Sequence, residues 1–227
     1  MHTVTTNYRL SNWRGEFVDA ATEQAFRKHS EADASRSLRR ALLVWAALVV
    51  SFGPLDYPVL GHGYDFQLLF GWRLATAAVL LLLYWQVRRK PSLVSDGYAV
   101  TAVEIFGSVL FFMLYFLRHD MVSWVIGVTA ISLLALFMFV PNRVYLSLLT
   151  AAFMSIGMMI CVAVRGMGIE NVVGLGFILG LPTAVGFFTA LRWQLSQRRQ
   201  YALLMQVVSS NRDLQDEIKR REALEAE

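Results

Sequence analysis

Only one cysteine, Cys161, occurs in the 227 residues, and it sits inside an apolar run. A single thiol excludes a disulfide framework and a thiolate metal site. No Walker-type phosphate loop, GxGxxG turn, HExxH helix or Cys/His cluster is present. The common signatures of nucleotide, dinucleotide and zinc chemistry are therefore missing. Four histidines do not supply the facing pairs within apolar runs that a haem-bearing bundle needs. His62, His119 and Asp120 fall on connections where a metal could gather, but loop histidines are commonly just exposed, and no metal is expected. Charge is sparse as well, at 17% of residues against 56% hydrophobic. The first apolar block begins at Ala41 after a long polar stretch, so no secretory signal is expected.

What the sequence does have is apolar length. Mean hydropathy is +0.47, with 15 Phe and 6 Trp, a composition far from that of soluble domains. A bilayer core takes about 20 apolar residues per helix. Six blocks come close to that length: Ala41 to Leu60, Phe66 to Val87, Tyr98 to Leu117, Met121 to Val140, Val144 to Val164, and Val172 to Leu191. The chain reads as an all-α membrane protein with six transmembrane helices. Gly53, Pro54 and Asp56 interrupt the first block, so its far end should kink or unwind.

Lysine and arginine set the orientation, because positive residues stay on the cytoplasmic side. Arg27, Lys28, Arg36, Arg39 and Arg40 precede the first span, Arg88, Arg89 and Lys90 follow the second, Arg143 follows the fourth, and Arg192, Arg198 and Arg199 follow the sixth. The alternate connections hold only Arg118 and Arg165. Both termini are expected in the cytoplasm. This divides the chain into a cytoplasmic segment 1–40, a six-helix bundle 41–191 and a cytoplasmic linker 192–227. The connections leave no room for an extracytoplasmic domain, so any signal must be met in the bundle, in the lipid or at shallow loops. A lipid or lipophilic ligand is the expected small partner, and nucleic acid is not expected.

Ionisable residues within a bilayer are expensive and are functional candidates by default. Three stand out: Asp56, Arg73 and Glu104. At 1.5 Å rise per residue, Asp56 and Arg73 come to roughly the same depth, about 22 Å from the inner face, whereas Glu104 lies only about 9 Å in. Asp56 and Arg73 should meet, as a structural pair or as part of a ligand site. Glu104 has no obvious partner by spacing. In the sixth span Gly176 and Gly180 stand at GxxxG spacing, which favours close helix contact, and Pro182 offers a hinge. Met154, Met158 and Met159 suit an adaptable apolar surface or ordinary core.

From Leu204 a heptad pattern places Leu204, Asn211 and Ile218 in one core position and Val207, Leu214 and Arg221 in the other. A lone Asn among apolar core residues favours a parallel two-stranded register. No proline lies between Pro182 and the last residue, so the sixth helix is expected to run straight into a parallel dimeric coiled coil. A single surface helix is the alternative for so short a repeat.

The segment NRDLQDEIKRREALEAE resembles the signalling helix that joins membrane sensors to cytoplasmic output domains in bacterial receptors. GGDEF diguanylate cyclases are the most familiar, with histidine kinases and class III adenylyl cyclases beside them. The stretch EQAFRKHSEADASRSLRRALLVWAALVVSFGPLDY is similar to the start of six-helix sensor modules of such receptors, where an acidic residue and FR precede a basic cluster and a first span ending in Asp. The resemblance implies a homodimeric, multi-pass protein of the bacterial inner membrane. It implies a relay to an output domain that this sequence lacks, one making cyclic di-GMP. GTP and Mg would belong to that domain, and neither catalytic residues nor a cofactor are expected here. A small transporter or channel is the competing expectation, resting on Arg73 and Glu104 as pathway residues.

Overall fold

The chain runs as six long helices in a computed structural model that describes residues 8–225. They are α1 Ala20–Ser51, α2 Tyr64–Arg89, α3 Tyr98–Leu117, α4 Val122–Phe139, α5 Val144–Val164 and α6 Ile169–Glu225. About 86% of the protein is helical. Among the described residues the strand-like pairing is limited to an isolated bridge between Leu10 and Phe17. Each helix contains a stretch long and apolar enough to cross a membrane. Helices are what such sequences must form in lipid, where every backbone N–H and C=O has to be satisfied within its own segment.

The breaks follow the glycines and prolines. α1 stops at Ser51, and Gly53–Leu55 takes a single tight turn with Pro54 in its first positions. A one-turn helix Tyr57–Leu60 follows, so the far end of the first apolar block is unwound around Asp56. Gly97 lies between the short helix Leu93–Asp96 and α3 with φ +77°. A Cβ there would also collide with the Asn142 amide, so this position requires glycine for both its conformation and its closeness to Asn142.

Packing contacts divide the chain into two compact units. Arg27–Ala190 form the larger one. In it α3 is central, packed against α2 and α5 and also touching α4. The main core joins Leu133 and Phe137 of α4, Met154 and Met158 of α5, and Leu175 and Leu179 of α6. A second core joins Leu38 and Leu42 of α1, Leu83 and Val87 of α2, and Val100 of α3. Gly186 is buried, and a Cβ on it would lie 2.6 Å from the Phe137 ring, so the absent side chain is what lets α6 seat on α4. Gly176 faces the Met159 side chain, and Gly180 faces open space. Pro182 lies inside α6, which continues through it. Large apolar side chains also point outward, Phe177 being 77% and Leu181 70% exposed. Such a surface is unfavourable in water and matches hydrocarbon.

The smaller unit consists of residues 8–26 with the helix from Leu191 onward. Asp19 caps the start of α1, accepting from the Thr22 N–H at 2.8 Å and the Thr22 hydroxyl at 2.6 Å. Phe17, Phe26 and Tyr201 form its buried core, with Tyr8 and Leu10 against it.

Candidate functional site

Asp56 sits where the helical ladder has failed. It is 2% exposed, and burying a lone carboxylate would be prohibitive without cationic partners. Two are supplied. Arg73 on α2 donates from Nε to Asp56 Oδ2 at 2.8 Å and from Nη1 to the Val49 carbonyl at 3.1 Å. Arg118, just past α3, donates from Nη1 to Asp56 Oδ1 and to the Leu55 carbonyl. Its other edge grips Asp120 through Nε and Nη2, each at 2.9 Å. Asp56 and Arg73 therefore meet, but as part of a four-residue network that alternates in sign. The same two guanidinium groups also donate to the backbone carbonyls of Val49 and Leu55. By sequence Arg118 is a cation on the connection after the third apolar block. No periodicity marks it, and its only local signal is Asp120 two residues on. Of the other loop groups named from the sequence, His62 stacks edge-on against Tyr57 with centroids 4.8 Å apart.

Glu104 lies elsewhere, on α3. Its Oε2 accepts from the Thr150 hydroxyl at 3.0 Å and more distantly from the Asn142 amide at 3.5 Å. Asn142 in turn donates to Thr101 Oγ1 at 2.9 Å, and Thr101 donates to the Gly97 carbonyl. The partners of Glu104 are thus neutral amide and hydroxyl groups rather than a base, carried by α5 and the connection before it. Glu104 Oε1 is sealed from solvent with no hydrogen-bond partner among the described residues.

Glu104 lines a partly open cavity of about 130 Å³ among α1 to α5. The walls are mostly apolar, including Leu42, Trp45, Leu80, Phe111, Leu136 and Met154. Thr76 and Ser132 also line it, and the Oγ atoms of both are sealed and without a partner among the described residues. Ser108 lines it too, with its hydroxyl donated to the Glu104 carbonyl at 2.8 Å.

The heptad positions of α6 are exposed. Leu204, Val207, Leu214 and Ile218 each leave about half their surface open, Asn211 is exposed, and Arg221 pairs along the helix with Glu217 at 3.1 Å. A few turns earlier on the same helix Arg198 is buried. It grips Glu23 with Nη2 to Oε1 at 2.7 Å and Nε to Oε2 at 2.9 Å. Its guanidinium lies 4.6 Å over the Phe26 ring. Glu23 Oε2 also accepts the Phe17 N–H at 2.9 Å. Glu23 and Phe26 lie within the EQAFR stretch, whose partner on α6 no spacing rule could have named.

Comparison with known proteins finds no matching family model, no matching curated protein and no matching solved structure.

Proposed function

We propose that the chain is the membrane sensor and transmission part of a dimeric bacterial receptor, with both termini in the cytoplasm and α6 as the moving link. The observation that carries this reading is the single helix Ile169–Glu225, 57 residues long. A bilayer uses about 20 of them. The remainder is a polar helix whose apolar heptad face, Leu204, Val207, Leu214 and Ile218, leaves about half its surface exposed. A signal received in the bundle shifts α6, the shift passes along a two-stranded coiled coil, and the geometry of two output domains changes. Those domains are GGDEF diguanylate cyclases in this reading, because joining two GTP molecules requires two active sites face to face across a dimer. A histidine kinase or adenylyl cyclase would use the same rod.

The orientation is supported by the state of the two arginines in the alternate connections. Arg118 is buried against Asp56 and Asp120, and Arg165 donates to the Tyr115 carbonyl at 3.2 Å. Both are held in protein contacts, while most of the lysines and arginines belong to the segments before the first span and after the second, fourth and sixth. A small transporter is the second reading, favoured by Glu104 in the bundle. It is disfavoured by an Asp56 network in which each charge already has its counter-charge.

Disulfide scanning in native membranes tests the rod. Single cysteines at positions 204, 207, 211, 214 and 218 should cross-link between subunits better than cysteines at 206, 209, 213 and 216. Cross-linking without heptad dependence would remove the rod and move the transporter reading ahead.

A further inference from the structure

We propose that the cavity among α1 to α5 is a binding site for one uncharged, hydroxyl-bearing lipophilic molecule, its hydroxyl held by Glu104, Thr76 and Ser132. The site stands on three observations. The first is size: about 130 Å³, close to the roughly 150 Å³ of an engineered cavity that takes benzene. The second is the wall, apolar on most sides and built from five helices, so the occupant must be mainly hydrocarbon.

The third is the polar inventory. Buried polar atoms in native proteins nearly always have partners, and each exception asks for one. Here three exceptions belong to side chains that line one space: Glu104 Oε1, Thr76 Oγ1 and Ser132 Oγ. Thr76 is 3% and Ser132 7% exposed. Both hydroxyls lie in helices where they could have turned back onto a carbonyl one turn earlier, as Thr129 does to Val125 at 2.7 Å. A ligand hydroxyl has one proton to give and two lone pairs to accept with. It can donate to Glu104 Oε1 and accept from Thr76 and Ser132, which satisfies all three at once. A hydrocarbon would leave all three unpaired. A cation would find one carboxyl oxygen and no second anion among the lining residues, and an anion would meet no cation there.

Two bodies fit this chemistry, an aromatic ring as in a phenol or quinol and a short aliphatic segment as in an alkanol or the glycerol end of a lipid. The hydroxyl is common to both. The inference supplies a ligand class for the sensor reading, and it is testable on this chain alone, apart from any relay.

Trp45 lines the cavity, so bromine placed in it should quench Trp45 emission. The protein in phosphatidylcholine nanodiscs is titrated with 4-bromophenol, bromobenzene, 6-bromohexan-1-ol and 1-bromohexane, with Trp45→Phe subtracting signal from the other tryptophans. After correction for partition into the bilayer, at least one hydroxyl compound should reach half-saturation at a concentration about tenfold lower than its hydroxyl-free counterpart, the effect of a net hydrogen bond or two. Whether the ring or the chain compound does so identifies the body.

Ser132→Ala and Thr76→Val together should reduce that ratio to about one to threefold. Each removes an unpaired buried hydroxyl, so the double variant should fold at least as well as the parent. Gly107→Leu, which projects a side chain into the cavity, should abolish saturable quenching by every probe. Equal half-saturation for hydroxyl and hydroxyl-free probes overturns the proposal, as does a tenfold preference that persists in the double variant. Absence of saturable quenching, or a map showing only ordered water in the cavity, also overturns it. None of these outcomes alters the cross-linking pattern of α6, so failure of the site and failure of the relay are separable.

Discussion

Glu23 and Arg198 lie 175 positions apart and meet as a two-pronged ion pair, Nη2 to Oε1 at 2.7 Å and Nε to Oε2 at 2.9 Å. Both side chains are more than nine-tenths buried. The carboxylate is further satisfied by the Phe17 N–H, and the guanidinium is stacked over Phe26. The pair therefore ties the first turn of α1 to the part of α6 around Arg198. Any rotation or sliding of α6 at Arg198 must carry this clasp with it or break it.

Breaking one partner of a buried pair leaves the other charge uncompensated, at a cost on the order of 3–5 kcal/mol. Glu23→Gln and Arg198→Gln should each lower the thermal midpoint in detergent. The double variant should recover part of the loss, since neither charge remains buried. Strict additivity of the two single effects would show that the ion pair contributes no coupling.

Asp56 predicts an ordering rather than a single value. Arg73→Gln leaves Asp56 still paired with Arg118, whereas Asp56→Asn leaves the buried Arg73 with neutral oxygens alone, the Val49 carbonyl and the new amide, and no counter-charge. Arg118 in that variant retains Asp120. Asp56→Asn should therefore be the most destabilising of the three, on the order of 3–5 kcal/mol. Arg73→Gln and Arg118→Gln should each be milder. Thermal unfolding of the three single variants in one detergent decides it, and Asp56→Asn ranking as the mildest would contradict the network.

The order of these effects also marks where the sequence was readable. Six apolar blocks predicted six helices because length and hydrophobicity act along one segment. Rise per residue brought Asp56 and Arg73 to one depth, for the same reason. Arg118 lay outside any block, so depth counting never reached it, although it completes the carboxylate's shell. Glu104 looked solitary because its partners Asn142 and Thr150 stand 38 and 46 positions further on. Periodicity reports which residues share a helix face and says nothing of which foreign face they meet. The cavity was invisible for a related reason. Thr76 and Ser132 are ordinary hydroxyls until the folded bundle buries each of them without a partner among the described residues. Glu23 was legible only as part of EQAFR, and its partner on α6 depends on how the chain returns to itself.

Asp19 gives a pH dependence with a definite sign. The Thr22 hydroxyl, and after it the Thr22 N–H, hold its carboxyl below the usual 3.8. A depressed folded-state value means stability that is present above the unfolded value and lost as pH falls through the folded one. Asp19→Asn keeps a capping oxygen without the charge. The stability difference between parent and Asp19→Asn should be constant above pH 3.8 upward and shrink below it. A difference unchanged at low pH would assign the cap to shape alone.

Asn211 bears most directly on the proposed relay. It stands exposed on α6 between Val207 and Leu214, at a position where a coiled-coil partner would place its own Asn opposite. Two such amides can bond to each other in a parallel, in-register pair, and they are left unsatisfied in staggered, antiparallel or higher-order assemblies. Asn211→Leu removes that constraint while adding apolar surface. The variant should therefore associate more strongly through α6 and with less selectivity. Cross-links from a cysteine at position 207 or 214 should spread to neighbouring registers, and mass measurement in detergent should reveal species larger than a dimer. In a receptor bearing an output domain the same change should alter output activity while membrane insertion, followed by protease protection, stays the same. An Asn211→Leu protein that keeps both its register and its partner number would show that the amide does not set the rod's geometry. The half-exposed leucine and valine face of α6 would then require a different partner.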